Sequence, residues 1–474
     1  MTPSKRCPAV VVALALLAGL TDSSCRRAPH LVRGDAAAVV VMQRPRDAGG
    51  PPPAAEREPN NTSAQAQELI WAGRPPAAAV KGTIDRTGPG KIVDVDVFKI
   101  VIPGPRVAAS SDAGHADDPL AAARRLSAVI IPDAGLALVL DFFDDEIRLV
   151  KTLVGGPGET VGLPNMAVLP GCTYYLSVKV APANKGRSTA DAGVATGGSY
   201  QMAAALLDFE FADEREPNDR PEAAGELSWQ GRSTIATGLY GWRRDEDWYR
   251  LSAEAIEAGW VLNFDLEGVE GVAAVLGVYD SAGKKLVAVR GRKGERLTLR
   301  NLVLPSVAAD AGAAAAGRWF VVVRADSGFD SEHRYVLRAE SVLPEAWAGF
   351  ETEPNDDAAH ASPLTDGTTT GYLSVGDVDV FRYSATEPRE LDIEVSPPSG
   401  VRLKINVVRE RDGQGLAESP AAKTRQPVRI LGLACPAEPI LVRLSQGKRD
   451  GNASQPYQLK VASRQAQTDA GRPK

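Results

Sequence analysis

The chain has 474 residues, a net charge of −6, 44% hydrophobic residues and 24% charged residues. A chain of this length predicts about three domains, and the composition is ordinary for soluble globular protein. The sequence has no basic stripe of the kind that binds nucleic acid, so a nucleic-acid partner is not expected. The mild excess of carboxylates serves solubility or, as a second reading, binds cations.

The first 24 residues are predicted to be a secretory signal peptide. A short positive region precedes an apolar run from Ala9 to Leu20, which is too short to cross a bilayer as a helix. Cys25 follows after small residues, in a pattern similar to the lipidated cysteine of bacterial lipoproteins, although Asp22 departs from it. With lipid on Cys25, the protein is expected at the outer envelope, cell surface or periplasm, anchored by the lipid alone. With ordinary cleavage nearby, it is expected to be secreted.

Residues 25–55 are predicted to form a flexible tether, because RDAGGPPPAA and its neighbours have little periodic pattern. Residues 465–474 are predicted to be a loose polar tail. Cys172 and Cys435 lie in the globular part between them, and both precede the same strand in different units. Equivalent positions in separate domains seldom touch, so two separate thiols are expected.

The region between the tether and the tail repeats itself three times. Each unit opens with a polar hexapeptide, EREPNN at Glu56, EREPND at Glu214 and ETEPND at Glu351. Four features then follow in the same order in every unit: a polar Ala-rich segment, a glycine-bearing strand, an acidic pair before an aromatic strand, and a closing strand that begins with Tyr. This fixed order predicts tandem domains. They are called repeats 1, 2 and 3 and span 56–209, 214–344 and 351–464.

The strand candidates in each repeat are short, alternate apolar with polar residues and favour Val, Ile, Leu, Tyr and Phe. Gly, Pro, Asp and Asn separate them, which is typical of antiparallel sheets. Seven or more such segments per repeat predict an all-β chain of three tandem two-sheet β-sandwiches.

The sequence combines E-x-E-P-N-[DN], a glycine, D-x-D-x-[FY] and YYLSV. This combination resembles the bacterial pre-peptidase C-terminal domain and is similar to the collagen-binding domains of bacterial collagenases. Nearly all of 56–464 is covered, as three copies. The resemblance implies a jelly-roll-like β-sandwich and a non-catalytic module of secreted or surface proteins, which in some members binds calcium or polymers. This chain departs from the pattern at Asn61, where the other copies have Asp219 and Asp356, and at CPAEPILVRL in repeat 3.

No catalytic constellation is visible in the sequence, since HExxH, G-x-S-x-G and a Gly-rich phosphate loop are missing. The chain is therefore predicted to be a binding or scaffold protein rather than an enzyme, with an envelope or extracellular polymer or protein as partner. The alternative is an accessory subunit of a secreted hydrolase. Trp242, in GLYGWRRDEDWY, is the candidate for an exposed ligand-binding aromatic.

Each E-x-E-P-N-[DN] segment is predicted to hold a calcium ion together with the acidic pair of its own repeat. Calcium takes six to eight oxygen ligands, and residues two apart in an extended stretch share a side. The candidate ligands are Glu56, Glu58, Asn60, Asn61, Asp94 and Asp96 in repeat 1, Glu214, Glu216, Asn218, Asp219, Asp245 and Asp247 in repeat 2, and Glu351, Glu353, Asn355, Asp356, Asp377 and Asp379 in repeat 3.

A second reading of this motif remains open. Asn60, Asn218 and Asn355 would cap a short helical turn, and the acidic pairs would lie in solvent. If calcium binds, repeat 1 is expected to bind less well than the others, because Asn61 replaces an acid.

Overall fold

The computed structural model describes residues 53–85, 94–105, 122–182, 197–210, 212–251, 260–280, 282–304, 319–343, 349–420, 426–447 and 450–465. The predicted signal peptide, Cys25, most of the tether and the tail beyond 465 lie outside these residues. Within the described ranges, no helix is long and apolar enough to cross a membrane.

Repeat 1 forms two facing sheets. Its strands are β1 (Ala54–Ala55), β2 (Gln67–Glu68), β3 (Ala77–Asp85), β4 (Val95–Val101), β5 (Arg124–Pro132), β6 (Leu138–Phe143), β7 (Leu149–Val154), β8 (Val161–Val168), β9 (Thr173–Val180) and β10 (Gly197–Leu207). One sheet has the order β1-β3-β10-β5-β8 and the other β2-β4-β9-β6-β7. The short strands β1 and β2 pair in parallel with β3 and β4, and the other pairs are antiparallel.

Repeat 2 has the same plan. Its strands are β11 (Gly225–Glu226), β12 (Ser233–Tyr240), β13 (Glu246–Leu251), β14 (Val261–Leu266), β15 (Ala273–Tyr279), β16 (Lys285–Lys293), β17 (Leu297–Leu302), β18 (Trp319–Ser327) and β19 (Asp330–Val342). The sheets are β11-β13-β18-β15-β16 and β12-β19-β14-β17. A single 3-10 turn, Pro221–Ala223, precedes β11.

Repeat 3 closes the series. Its strands are β20 (Ser362–Leu364), β21 (Gly367–Leu373), β22 (Val378–Tyr383), β23 (Arg389–Ser396), β24 (Leu403–Arg409), β25 (Gly415–Glu418), β26 (Val428–Cys435), β27 (Ile440–Gln446) and β28 (Asn452–Gln465). The sheets are β20-β22-β27-β24-β25 and β21-β28-β23-β26. Each sheet draws its strands from one repeat, and the prediction of tandem β-sandwiches is confirmed.

Each sandwich is held by one apolar core between its sheets. The alternation of side chains fixes which residues enter that core, because neighbours along a strand point to opposite faces. In β5, Leu126, Ala128 and Ile130 are buried while their neighbours are half-buried. Cys172 and Cys435 are both buried, lie in different repeats and are not joined by a disulfide, so the expectation of two separate thiols is confirmed.

The edge strands β8, β17 and β26 share an irregularity. Asn165, Asn301 and Gly432 have positive φ angles of 55°, 54° and 65°. Each lies where the pairing register of its strand shifts, a β-bulge. Asn and Gly are the residues that adopt this left-handed conformation most readily. In β8 and β17, the outer edge beside the bulge pairs with the E-x-E-P-N segment of the following repeat, through Met166↔Glu216 and Leu302↔Glu353.

Candidate metal centres

The E-x-E-P-N segment runs beside the glycine-bearing strand of its own repeat. The amide of the first glutamate donates to that strand: Glu56 to Lys81 O at 3.1 Å, Glu214 to Thr237 O at 2.8 Å and Glu351 to Thr370 O at 2.9 Å. The Glu–Pro peptide bond is cis in all three segments. The repeated sequence therefore forms a repeated local structure.

The two glutamates of this segment and the second aspartate of the acidic pair form one cluster per repeat. In repeat 2, Glu214, Glu216 and Asp247 each place a carboxylate oxygen within 4.8 Å of the others. Two oxygens that each lie about 2.4 Å from one calcium ion are at most about 4.8 Å apart, so this spacing fits a shared ion. The matching clusters are Glu56, Glu58 and Asp96 in repeat 1 and Glu351, Glu353 and Asp379 in repeat 3.

Backbone amides orient both glutamates of the repeat 2 cluster. Leu239 N donates to Glu214 Oε1 at 2.8 Å, and Asn218 N donates to Glu216 Oε2 at 2.9 Å. The same pair of bonds recurs in repeat 1 at 2.6 and 3.0 Å and in repeat 3 at 2.5 and 3.2 Å. One oxygen of each glutamate is thereby held in place, and the other is turned towards the cluster.

A tyrosine hydroxyl completes each cluster, and sequence reasoning did not assign it a role. Tyr200 donates to Asp96 at 2.6 Å, Tyr335 to Asp247 at 2.7 Å and Tyr457 to Glu351 at 2.7 Å. Each tyrosine lies on the closing strand of its repeat, where it begins the segment YQMAA, YVLRA or YQLKV. That recurrence was the signal that could have identified them.

The glycine of the glycine-bearing strand makes room for this contact. A Cβ at Gly238 would collide with the Glu214 carboxylate and the Tyr335 hydroxyl. Gly82 and Gly371 have the same surroundings in their own repeats. A side chain at this position would push the carboxylate and the hydroxyl apart, so the glycine is part of the site.

Several buried oxygens at these clusters have no partner among the described residues. In repeat 2 they include Oδ1 of Asp247, Asp245 and Asn218, and in repeat 3 Oδ1 of Asn355 and both oxygens of Asp379. A buried polar atom without a hydrogen bond costs about 1–3 kcal/mol. Carboxylate and amide oxygens with free lone pairs are the donor set of a hard cation. The residues present therefore fit a calcium ion.

Burial raises the pKa of the clustered carboxyls. Desolvation is the main cause, and it raises the pKa of Asp96 to about 8 and that of Glu214 to about 7. It also places the pKa of Asp247 and Asp379 well above the usual range, with further contributions from neighbouring carboxylates. Without a cation, burial therefore favours the protonated forms of these carboxyls relative to exposed ones. A bound cation displaces those protons.

The first aspartate of each acidic pair is not one of the three clustered carboxylates, and it accepts a nearby backbone amide. Asp94 accepts the amide of Asp85, the last residue of β3, at 3.0 Å. Asp245 accepts Gly241 N at 2.6 Å, and its other oxygen is one of the unpartnered atoms. In repeat 3, Asp377 accepts Ser374 N at 3.0 Å.

The last position of the hexapeptide also lies outside the three-carboxylate clusters. Asn61 Oδ1 accepts Val95 N at 2.9 Å, Asp219 binds Lys151 Nζ at 2.6 Å, and Asp356 is exposed. The weaker binding expected of repeat 1 because of Asn61 stays a prediction, and Asn61 contacts its cluster, since its Nδ2 donates to Glu58 Oε2 at 3.4 Å. The clusters also differ in burial, because Glu58 is exposed whereas Glu216 is 1% exposed.

The asparagines of the three segments are fully buried and turn towards the clusters rather than capping a helix. The Asn60 amide faces Glu58 Oε1 at 3.2 Å and Asp96 Oδ1 at 3.1 Å, and its NH2 end donates to both. Asn355 Nδ2 donates to Glu351 Oε2 at 3.4 Å. Both side-chain atoms of Asn218 are unpartnered, and the nearby 3-10 turn has no side-chain cap. The capping reading is not supported.

Trp242 is half-buried, which corrects its prediction as an exposed ligand-binding aromatic. It packs against the apolar core of repeat 1, and Lys151 Nζ lies 3.6 Å from the centre of its ring. Lys151 also binds Asp219 of repeat 2. Trp242 therefore joins two repeats, because the loop that holds it lies against the preceding sandwich.

Comparison with protein-family models and with curated sequences finds no match. The chain is similar to the CUB1-EGF-CUB2 domain of human MASP-1/3 at 10% identity over 55% of this chain and 99% of that chain, with a TM-score of 0.16. It is similar to the triple jelly roll of an archaeal virus at 10% identity over 81% of this chain and 89% of that chain, with a TM-score of 0.16. TM-scores this low support no argument about function. Neither structure is described as a pre-peptidase C-terminal domain, so the resemblance to that family stays a prediction.

Proposed function

We propose that the protein is a non-catalytic binding or scaffold protein, exported to the envelope or secreted, and built from calcium-stabilised β-sandwich repeats. The observation that carries the proposal is the recurrence of one carboxylate cluster in all three repeats, at Glu214, Glu216 and Asp247 and the matching positions. Like charges buried together destabilise the folded protein unless they take up protons or a cation. A cation also satisfies the unpartnered oxygens.

Calcium is the cation that this donor set favours. The clustered oxygens belong to carboxylates, and the buried Asn218 and Asn355 each add an unpartnered Oδ1 in repeats 2 and 3. Zinc and copper sites in proteins use mainly His and Cys. Magnesium retains several waters and requires near-ideal octahedral geometry, which a water-excluding cluster does not readily provide.

The position of the cluster supports a structural role for the ion. In repeat 2, Glu214 lies on the segment that enters the repeat, Asp247 on β13 of one sheet and Tyr335 on β19 of the other. A bound ion would therefore link the entering segment to both sheets of the sandwich. The burial of the cluster in repeat 2 suits a structural ion, because a substrate would not reach it.

The non-catalytic part of the proposal is supported by where the titratable groups lie. The carboxylates of the repeat 2 cluster are at most 3% exposed, so a substrate would not reach them. His333 and His360 are exposed, and each contacts the aspartate three residues before it, Asp330 at 2.9 Å and Asp357 at 2.8 Å. Incubation with casein, gelatin and glycans tests for hydrolysis. A pull-down against envelope polymers tests the binding reading and identifies the partner.

The proposed location depends on the N-terminal residues. Export follows from the predicted signal peptide, and lipid on Cys25 would anchor the chain through the tether. Mass spectrometry of the native N-terminus decides between the two forms. A diacylated or triacylated Cys25 supports the anchor, and an unmodified N-terminus near this position shows a released protein.

Calcium stabilisation is tested by thermal unfolding of the chelator-treated full chain during a calcium titration. A ligand that binds only the folded state raises the melting temperature. We expect a rise at millimolar calcium or below and a smaller rise for Asp247→Asn, which removes a ligand charge from one cluster. Glu387→Gln, an exposed change outside the clusters, should respond like the wild type. No shift in the wild type, or an unchanged shift in Asp247→Asn, contradicts the proposal.

A further inference from the structure

The junction between repeats 1 and 2 is a short piece of strand addition. The entering segment pairs with the outer edge of β8: Ala167 N donates to Glu216 O at 2.8 Å, and Glu216 N donates to Asn165 O at 3.0 Å. The Asn165 side chain then donates to Glu214 Oε1 at 2.8 Å. Pairing of an extended segment with a free sheet edge is a common mode of peptide recognition.

The junction between repeats 2 and 3 uses the same mode on β17. Val303 N donates to Glu353 O at 2.8 Å, and Glu353 N donates to Asn301 O at 3.2 Å. The Asn301 side chain donates to Glu351 O at 2.7 Å. The chain therefore contains two examples of one interface, in which the bulged edge of one repeat receives the E-x-E-P-N segment of the next.

Repeat 3 retains the receiving half of this interface. Its edge strand β26 corresponds to β8 of repeat 1. Leu433 of β26 pairs with Leu391 of the neighbouring strand, as Met166 of β8 pairs with Leu126. Gly432 keeps the positive φ of Asn165. Among the described residues, no strand pairs with the outer side of β26.

The receiving surface of repeat 3 is open to solvent and combines exposed apolar residues with the Asp392 carboxylate, which accepts Gly432 N at 2.7 Å. Leu431 is 67% exposed, and Gly432 and Ala434 are exposed as well. The matching residues in repeat 1, Pro164 and Asn165, are buried by repeat 2. A third junction would bury Leu431 in the same way.

Repeat 1 retains the donating half. Arg57, Glu58 and Pro59 are exposed, whereas Glu216 at the matching position is 1% exposed. A groove of about 660 Å³ beside this segment includes Ile70, which is 74% exposed. The corresponding groove of repeat 2 is lined partly by Ala167 of repeat 1.

We propose that the E-x-E-P-N segment of repeat 1 docks on β26 of repeat 3 in a second copy of this chain. The two surfaces are the unpaired halves of an interface that the chain already forms twice. Because the halves lie on different repeats, the contact is heterologous and joins copies head to tail, into an open series or a closed ring according to the rotation between them. Gly432 lacks the side-chain amide that Asn165 and Asn301 supply, so the association is weaker than the internal junctions and depends on concentration.

Sedimentation velocity over a range of concentrations tests the proposal, with the full chain carrying Cys25→Ser to prevent lipidation and calcium held constant. We expect a sedimentation coefficient that rises steadily with concentration. Gly432→Asn restores the missing amide and should tighten association about tenfold or more, the effect of one hydrogen bond to a charged or backbone acceptor. Leu431→Glu should weaken association at least as much.

The matched control is Leu149→Glu, a change of the same type at a leucine that is 57% exposed on β7. It should associate like the wild type, and the thermal unfolding of all variants should confirm that they fold. A chain that remains monomeric in both wild-type and Gly432→Asn forms overturns the proposal. Association that Leu431→Glu leaves unchanged also overturns it, because the contact then lies elsewhere.

Discussion

Asn165 of repeat 1 donates its side-chain amide to the Glu214 carboxylate of repeat 2 over 2.8 Å. A candidate calcium ligand of one repeat is thus held in place by the repeat before it. Both residues are buried, at 3% exposure each, so the bond is shielded from water. Calcium binding in repeat 2 and the packing of repeats 1 and 2 therefore act on the same side chain.

Replacing Asn165 with glycine should weaken calcium binding in repeat 2. Glycine tolerates the positive φ of this position, so the change removes the amide without straining the backbone. Loss of a hydrogen bond to a charged group costs about 1.5–3 kcal/mol. Calorimetric calcium titration of the full chain should show one weakened site, and denaturant unfolding should show the loss of stability.

Asn301→Gly is the matched control for this prediction. Its amide donates to the backbone oxygen of Glu351 rather than to the carboxylate. It should loosen the second junction with a smaller effect on calcium affinity. Equal calcium affinities in both variants and the wild type would show that the Asn165 bond does not position the ligand.

The stability of the metal-free protein should fall as the pH rises from about 4 to about 8. Folding raises the pKa of Asp96 from 3.8 to about 8 and that of Glu214 from 4.5 to about 7. The unfolded chain therefore releases these protons first, and the free energy of unfolding decreases through this window. Melting curves in chelator at pH 5 and pH 8 measure the difference.

Calcium should reverse this dependence, because it binds the ionised carboxylates and displaces their protons. Its stabilising effect should be larger at pH 8 than at pH 5. A calcium effect that is independent of pH over this range would place the ion away from the buried carboxyls.

Gly238→Ala should destabilise repeat 2 and reduce its calcium binding. The new Cβ collides with the Glu214 carboxylate and the Tyr335 hydroxyl, so at least one of them has to move. Overpacking of this kind costs about 1–3 kcal/mol. Thermal unfolding with and without calcium gives both effects.

Gly225→Ala is a suitable control, since its added Cβ would lie 3.8 Å from the Tyr249 ring, an ordinary contact distance. We expect it to unfold within about 1 kcal/mol of the wild type. If the two alanine variants behave alike, the close approach at Gly238 does not constrain the site.

The sequence predicts most of the ligands because they recur at fixed spacing. Glu56 and Glu58, with their counterparts, lie together as the two-residue spacing suggests, and Asp96 joins them from the aromatic strand. The neighbouring Asp94 does not, because it accepts the amide of Asp85 at the end of β3 instead. Both aspartates fit the sequence pattern equally well, and only the tertiary structure distinguishes them.

By itself, the sequence determined the threefold repetition, the β-sandwich architecture and the acidic motif, since strand alternation and turn residues are local properties with a period of two. Only the tertiary structure decided that Tyr335 meets Asp247, that Gly238 leaves room for them and that Trp242 packs on the preceding repeat. Tyr335 and Asp247 are 88 residues apart in the chain. Contacts at such separations depend on which strands become neighbours and which sheet edge stays open, and a local pattern does not specify either.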